Sequence, residues 1–169
     1  MEYKASMDTL TKIITAVTVV IFIVIIYSFA KDVWKNKDGD LTSLIVSISA
    51  TVSFIALLVL TWLYAPQSYT LTDAELIINR PAAKRVINRS EIMDVKEVKS
   101  NDLGMFIRTF GNGGLFGYYG KFYSSKLGSV TLYTTQRKNR LLITTTTGKK
   151  IMISPDDMKI IDELKTITE

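Results

Sequence analysis

The chain has 169 residues, no cysteine, no histidine and a formal net charge of +5 at pH 7. Those absences remove disulfides, thiolate nucleophiles, imidazole bases and every zinc site built on nitrogen or sulfur ligands. The first 66 residues hold five basic and five acidic side chains, so the whole positive excess lies in residues 67–169.

After an N-terminal segment, residues 1–12, two uncharged apolar runs cover residues 13–30 and 41–65, separated by a polar loop at 31–40. A helix over the first run rises roughly 27 Å, about one hydrocarbon core, and the second run can span with tilt. Neither run contains an ionisable residue, which argues against a proton relay or coupled transport. Two spans return the chain to the face it started from. On that face Lys4, Lys12, Arg80, Lys84 and Arg85 outnumber Lys31, Lys35 and Lys37 of the loop. The positive-inside rule therefore puts the N-terminus and the C-terminal domain in the cytoplasm. Ser28-Phe29-Ala30 has the form of a signal-peptidase site, but the apolar run before it is too long and acids precede that run. Tyr27 and Trp34 fall near one interface, Trp62 and Tyr64 near the other. In the second run, Ser43, Ser47 and Ala50, and likewise Ser49, Ser53 and Ala56, form small-residue stripes on which a helix can pack.

From residue 67 to 169 the pattern becomes one of short Thr-, Ile-, Val- and Tyr-rich stretches broken by turn residues, which predicts antiparallel strands. They lie at 69–72, 76–79, 85–88, 91–98, 129–135, 141–147 and 150–153, about seven in all. Ser154-Pro155-Asp156-Asp157 then combines an N-cap serine, a first-turn proline and acids that favour a helix N-terminus. Met158, Ile161, Leu164 and Ile167 or Thr168 come next at helical spacing, predicting an amphipathic helix of about 13 residues. The expected fold is a membrane α-helical hairpin followed by an all-β barrel of the pleckstrin-homology (PH) type, closed by a C-terminal helix.

Specific residues carry a resemblance in the same direction. Tyr69-x-Leu71-Thr72-Asp73-x-x-Leu76-x-Ile78, the block Arg108-Thr109-Phe110-Gly111-x-Gly113-Gly114-x-Phe116-Gly117-Tyr118-x-Gly120, Leu127-Gly128, Tyr133-x-Thr135 and Ile153-Ser154-Pro155-Asp156 resemble the bacterial PH domain family. The likeness covers residues 67–167, and members commonly follow a pair of membrane helices. It implies the fold, and a bacterial inner-membrane location, while the family's biochemical role is largely undefined.

Two sets of residues are candidates for contact. Arg80, Lys84, Arg85 and Arg89 lie near the tether and could meet lipid headgroups or phosphate, although their spacing is not that of phosphoinositide-binding PH domains. Arg108, Phe110, Phe116, Tyr118, Tyr119 and Lys121 belong to a glycine-aromatic block with five glycines at 108–120. That block lacks the Gly-Lys-Ser/Thr of a phosphate loop and the strand–helix frame of a dinucleotide site. Its glycines therefore read as positive-φ positions of a tight β excursion, or as part of a recognition loop. The turn Arg137-Lys138-Asn139-Arg140 reads as solvated charge. No catalytic constellation is present, since the Asp156-Asp157 pair and Ser154 are accounted for as a helix start. The expectation is a non-enzymatic, two-span membrane protein without cofactor or metal, its PH-like module bound to the lipid bilayer and to a protein partner or another copy of itself. Nucleic acid and small-molecule substrates are not expected. An anionic-lipid sensor and a regulatory subunit of a larger membrane complex are the alternatives.

Overall fold

The computed structural model describes residues 1–35 and 41–165. Part of the predicted loop, with Lys37, Asp38 and Asp40, lies outside these residues, as do Ile167 and Thr168 of the predicted C-terminal helix. Two long helices, α1 (Thr9–Lys35) and α2 (Leu41–Tyr64), occupy the two apolar runs. Both are long and apolar enough to cross a membrane, and α2 has no residue buried inside the protein. They meet with Phe22 and Phe54 in ring contact at 4.8 Å between centroids, and Ile26, Phe29 and Val33 of α1 face Ser47, Thr51 and Val52 of α2 across a groove. Ser47 lines a shallow groove against α1, whereas Ser49 and Ser53 stay exposed and bond back to Val46 and Ser49 carbonyls of their own helix.

Among the described residues, ten strands form two sheets. The first, in the order β1-β2-β3-β4, comprises β1 (Glu2–Lys4), β2 (Ser68–Leu71), β3 (Glu75–Asn79) and β4 (Arg85–Asn88). In the second, β5 (Ile92–Glu97), β6 (Phe106–Gly113), β7 (Tyr118–Ser124), β8 (Gly128–Thr134), β9 (Leu141–Thr145) and β10 (Lys150–Ile153) are ordered β5-β9-β10-β8-β7-β6. Pairing is antiparallel except between β8 and β10, which run parallel because β10 inserts between its two predecessors. Strand alternation then sorts side chains onto two faces. Leu141, Ile143, Ile151 and Ile153 meet Tyr69, Leu76, Ile78 and Ile87 in the core between the sheets. Leu132, Leu142, Met152, Val130 and Phe122 face the other way and are covered by Val98 and by Leu103 of the short helix α3 (Ser100–Leu103).

The N-terminal segment does more than precede the first span. β1 pairs with β2 in the register Tyr3↔Tyr69, and Tyr3 and Ala5 are buried in the inter-sheet core. Burial, reinforced by the Glu163 side chain, pushes the Tyr3 phenol up to about 12. The last helix corrects one expectation: α4 runs only over Ile160–Lys165 among the described residues, and Ser154 does not cap it. Ser154 is fully buried, accepts the Thr135 N–H at 2.9 Å through its Oγ, and donates its own N–H to the Tyr69 hydroxyl at 3.0 Å. Tyr69 in turn donates to the Tyr133 carbonyl at 2.6 Å, and burial raises its pKa to about 12. Buried backbone groups between β10 and β8 need partners, and the serine meets that need in preference to a helix end. Met158, Ile161 and Leu164 still pack on the core, as their spacing predicts, and Ile160, outside that predicted face, is buried with them.

Candidate juxtamembrane site

The glycine-aromatic block is the β6–β7 hairpin. Gly111 and Gly120 face each other across it at φ +118° and +115°, where a Cβ on either would lie 2.3 or 2.4 Å from a backbone oxygen of the other strand. Only glycine allows strands to cross this closely in that conformation. The crossing carries the tip back onto the helices: the Phe116 N–H donates to Thr15 Oγ1 at 2.9 Å, and Ile14 fills the space beside Gly114. Thr15 lies about 9 Å along α1 from its start. On the other side Tyr119 donates its hydroxyl to the Thr61 carbonyl of α2 at 2.5 Å, and the Ala82 N–H donates to the Leu63 carbonyl at 2.9 Å.

Asp8 adds a further clamp. Its Oδ1 accepts the Thr11 N–H at 2.8 Å, as an N-cap does, while Oδ2 accepts the Arg137 N–H at 3.0 Å from the β8–β9 turn. Burial disfavours its charge, but these bonds and the Arg137 guanidinium outweigh that and hold the carboxyl below its ordinary range. A lowered folded pKa contributes stability that is complete above the unfolded value and disappears as pH falls through the folded one. Asp8→Ala is therefore expected to cost about 1 kcal/mol at pH 7. Its thermal melting deficit relative to the native chain should shrink as pH falls below the ordinary carboxylate value of about 3.9 and through the lower folded one, where the native chain also loses the charge.

The hairpin separates two cavities. One, of about 630 Å³, lies between α2 and the hairpin and is lined by Leu57, Leu60, Thr61 and Tyr64 on one wall and Phe110 and Tyr119 on the other. Arg80 stands at its edge over the rings of Tyr64 and Tyr133, at 5.8 and 5.3 Å, and donates Nε to the Ala83 carbonyl. The other cavity, of about 570 Å³, lies on the opposite face of the sheet and holds Arg108 and Tyr118 together with Arg137 and Arg140.

The predicted basic set is thus dispersed. Arg80 borders the α2 cleft, while Lys84 and Arg85 are exposed at the β3–β4 turn. Arg89 turns its guanidinium onto the carbonyls of Thr72 and Glu163, tying the start of the barrel to α4. The predicted aromatic set does converge on the hairpin, with Phe116 at its tip and Lys121 exposed on β7, but its members divide between the two faces. Sequence reasoning missed Arg140, which is only 8% exposed and not a solvated turn residue. Its parity with Leu142 on β9 was the available signal, because period-2 alternation puts both on one face.

The sequence model of a family described as bacterial PH domain matches residues 67–166. The chain belongs to that family. PH domains are typically interaction modules rather than enzymes, and generally contact lipids or proteins. No curated protein and no solved structure matches the chain significantly. The family match begins at the second strand of this PH domain, so β1 and both long helices lie outside it.

Proposed function

We propose that this protein is a two-span component of the bacterial inner membrane, with both its N-terminus and its PH domain cytoplasmic, acting as a scaffold or accessory module. The observation carrying this reading is that the PH domain is held at both ends of the helix pair, through β1 before α1 and β2 after α2, and again at the β6–β7 hairpin, so it offers a partner one fixed face. That face is at β6, one of the two edge strands of the six-stranded sheet, where Met105 just before it and Ile107 and Phe110 on it are 64, 49 and 76% exposed, with Tyr123 beside them. An exposed apolar edge invites a further strand or an apolar protein surface. A second reading, a sensor of anionic lipid, is favoured by the α2 cleft, whose walls are apolar and whose edge carries Arg80. Such an arrangement suits an acyl chain beneath a phosphate.

One experiment separates the two. A photoreactive benzoylphenylalanine replaces Ile107 or Phe110 in the native membrane, and irradiation is followed by mass spectrometry of the adducts. The scaffold reading predicts a discrete protein adduct at both positions. Lipid adducts at Phe110 with none to protein at Ile107 would replace it by the lipid reading, and adducts of neither kind would contradict both.

A further inference from the structure

The cavity on the far side of the hairpin has a lining unlike that of a solvated surface. Arg108, Arg137 and Arg140 border it with Ser100, Thr134, Gln136 and Tyr118, and no acidic side chain does among the described residues. Arg140 is more than nine-tenths buried, and its guanidinium bonds Ser100 Oγ at 2.8 Å through Nη2 while Nε has no partner among those residues. The charge acting on it most strongly is that of another cation, Arg137, and burial together with that charge pushes the Arg140 pKa down. A buried cation without a counter-charge is a large expense unless something supplies the anion.

The neighbours are arranged around the same space. Arg137 is held by its Nε to the Tyr118 hydroxyl at 3.0 Å and lies over that ring at 5.5 Å. Asp8, the acid that meets the Arg137 backbone, is occupied by the N–H groups of Thr11 and Arg137. Arg108 lies across Gly113, where an added Cβ would come within 3.1 Å of its Nη1, so that glycine leaves room for the guanidinium. Phe106, Phe122, Leu103 and Leu132 supply an apolar floor.

We propose that this cavity binds a phosphate-bearing ligand, held by Arg108, Arg137 and Arg140 and completed by hydroxyl and amide donors. Planar guanidinium forks match phosphate oxygens, and three of them lining one cavity, with no carboxylate in that lining among the described residues and Asp8 reaching Arg137 only from outside it, select an anion with more than one charged oxygen. About 570 Å³ exceeds what inorganic phosphate fills and suits a phosphorylated small molecule or a lipid headgroup. The site lies on the opposite face of the sheet from the α2 cleft and does not depend on either reading of the protein's function.

The test uses the full chain in dodecyl maltoside, which carries no phosphate. Inorganic pyrophosphate is titrated by calorimetry as the soluble probe, and dioctanoyl phosphatidylglycerol by native mass spectrometry as the lipid probe. Saturable binding of at least one probe is expected, weakened tenfold or more by Arg108→Gln, an exposed position, and unchanged by Lys138→Gln in the neighbouring turn. Binding of pyrophosphate assigns the site to a soluble phosphorylated compound, and binding of the lipid alone assigns it to a headgroup. Arg140→Met is expected to abolish binding while leaving the unliganded melting temperature unchanged or higher, since it removes an uncompensated buried charge. If neither probe saturates, or if Arg108→Gln binds as the native chain does, the proposal is overturned. A lower melting temperature for Arg140→Met together with undiminished binding would make Arg140 purely structural and also overturn it.

Discussion

Removing residues 1–5 is expected to leave the PH domain largely unfolded, although the family match does not include them. The deletion takes Tyr3 and Ala5 out of the inter-sheet core and strips β2 of its outer partner. It also removes the hydrogen bonds between Leu71 N–H and the Met1 carbonyl, Ala5 N–H and the Gln67 carbonyl, and Asp156 N–H and the Lys4 carbonyl. Burial of one tyrosine and several net backbone bonds together amount to on the order of 5 kcal/mol. A small domain has about 5–15 kcal/mol in total. Circular dichroism of residues 67–169 alone should therefore show little cooperative melting. Joining residues 1–7 to residue 66 through a short flexible linker should restore it. If the fragment without β1 melted as sharply and as high as the linked one, β1 would be ornamental.

The second large effect is expected at the hairpin crossing. Gly120→Ala would put a methyl group 2.4 Å from the Phe110 carbonyl oxygen at φ +115°, so both sterics and backbone conformation oppose it. Residues forced into that region cost about 1–3 kcal/mol before any clash is counted. The hairpin must open to relieve the contact, and the tip then leaves Thr15 and Thr61. A loss of about 3 kcal/mol or more is expected from thermal melts of the purified chain. Gly128→Ala is the matched comparison, since it also has positive φ (+73°) but nothing within 4 Å, and should cost about 1 kcal/mol. Equal effects at the two positions would mean that the close crossing has no energetic weight.

Both effects bear on what could be read from the amino-acid order. The two long helices were legible because an uncharged run about as long as a bilayer core, or longer, has few other uses. Seven of the ten strands among the described residues were legible from Thr-, Ile- and Val-rich stretches whose alternation survives in the structure. β1 was hidden because Glu2-Tyr3-Lys4 is only three residues long and its partner, β2, is more than sixty residues away. No local pattern encodes such a pairing. β6 and β7 were legible only in part: the five glycines read as a tight β excursion or a recognition loop, but glycine is depleted in strands, so neither strand's extent could be drawn before the Gly111–Gly120 crossing was seen. Ser154 misled because an N-cap and a buried backbone lock use the same hydroxyl chemistry. Of the candidate site, the grouping of the aromatics in one stretch of sequence was legible, while the arginine cluster required the β8–β9 turn and β6 to be brought together, which only tertiary structure does.

Fixed attachment of the PH domain to its helix pair is the claim on which the functional reading rests. The absence of cysteine allows spin labels to be placed without background, at Lys12→Cys on α1 and Lys121→Cys on β7, both exposed. Double electron–electron resonance on the full chain in lipid nanodiscs is then the most direct measurement. A single distance peak no wider than label motion alone produces is predicted, broadening in Gly120→Ala as the tip detaches. A broad or multi-peaked distribution in the otherwise native chain would contradict that attachment, because the domain would then move freely on its tether.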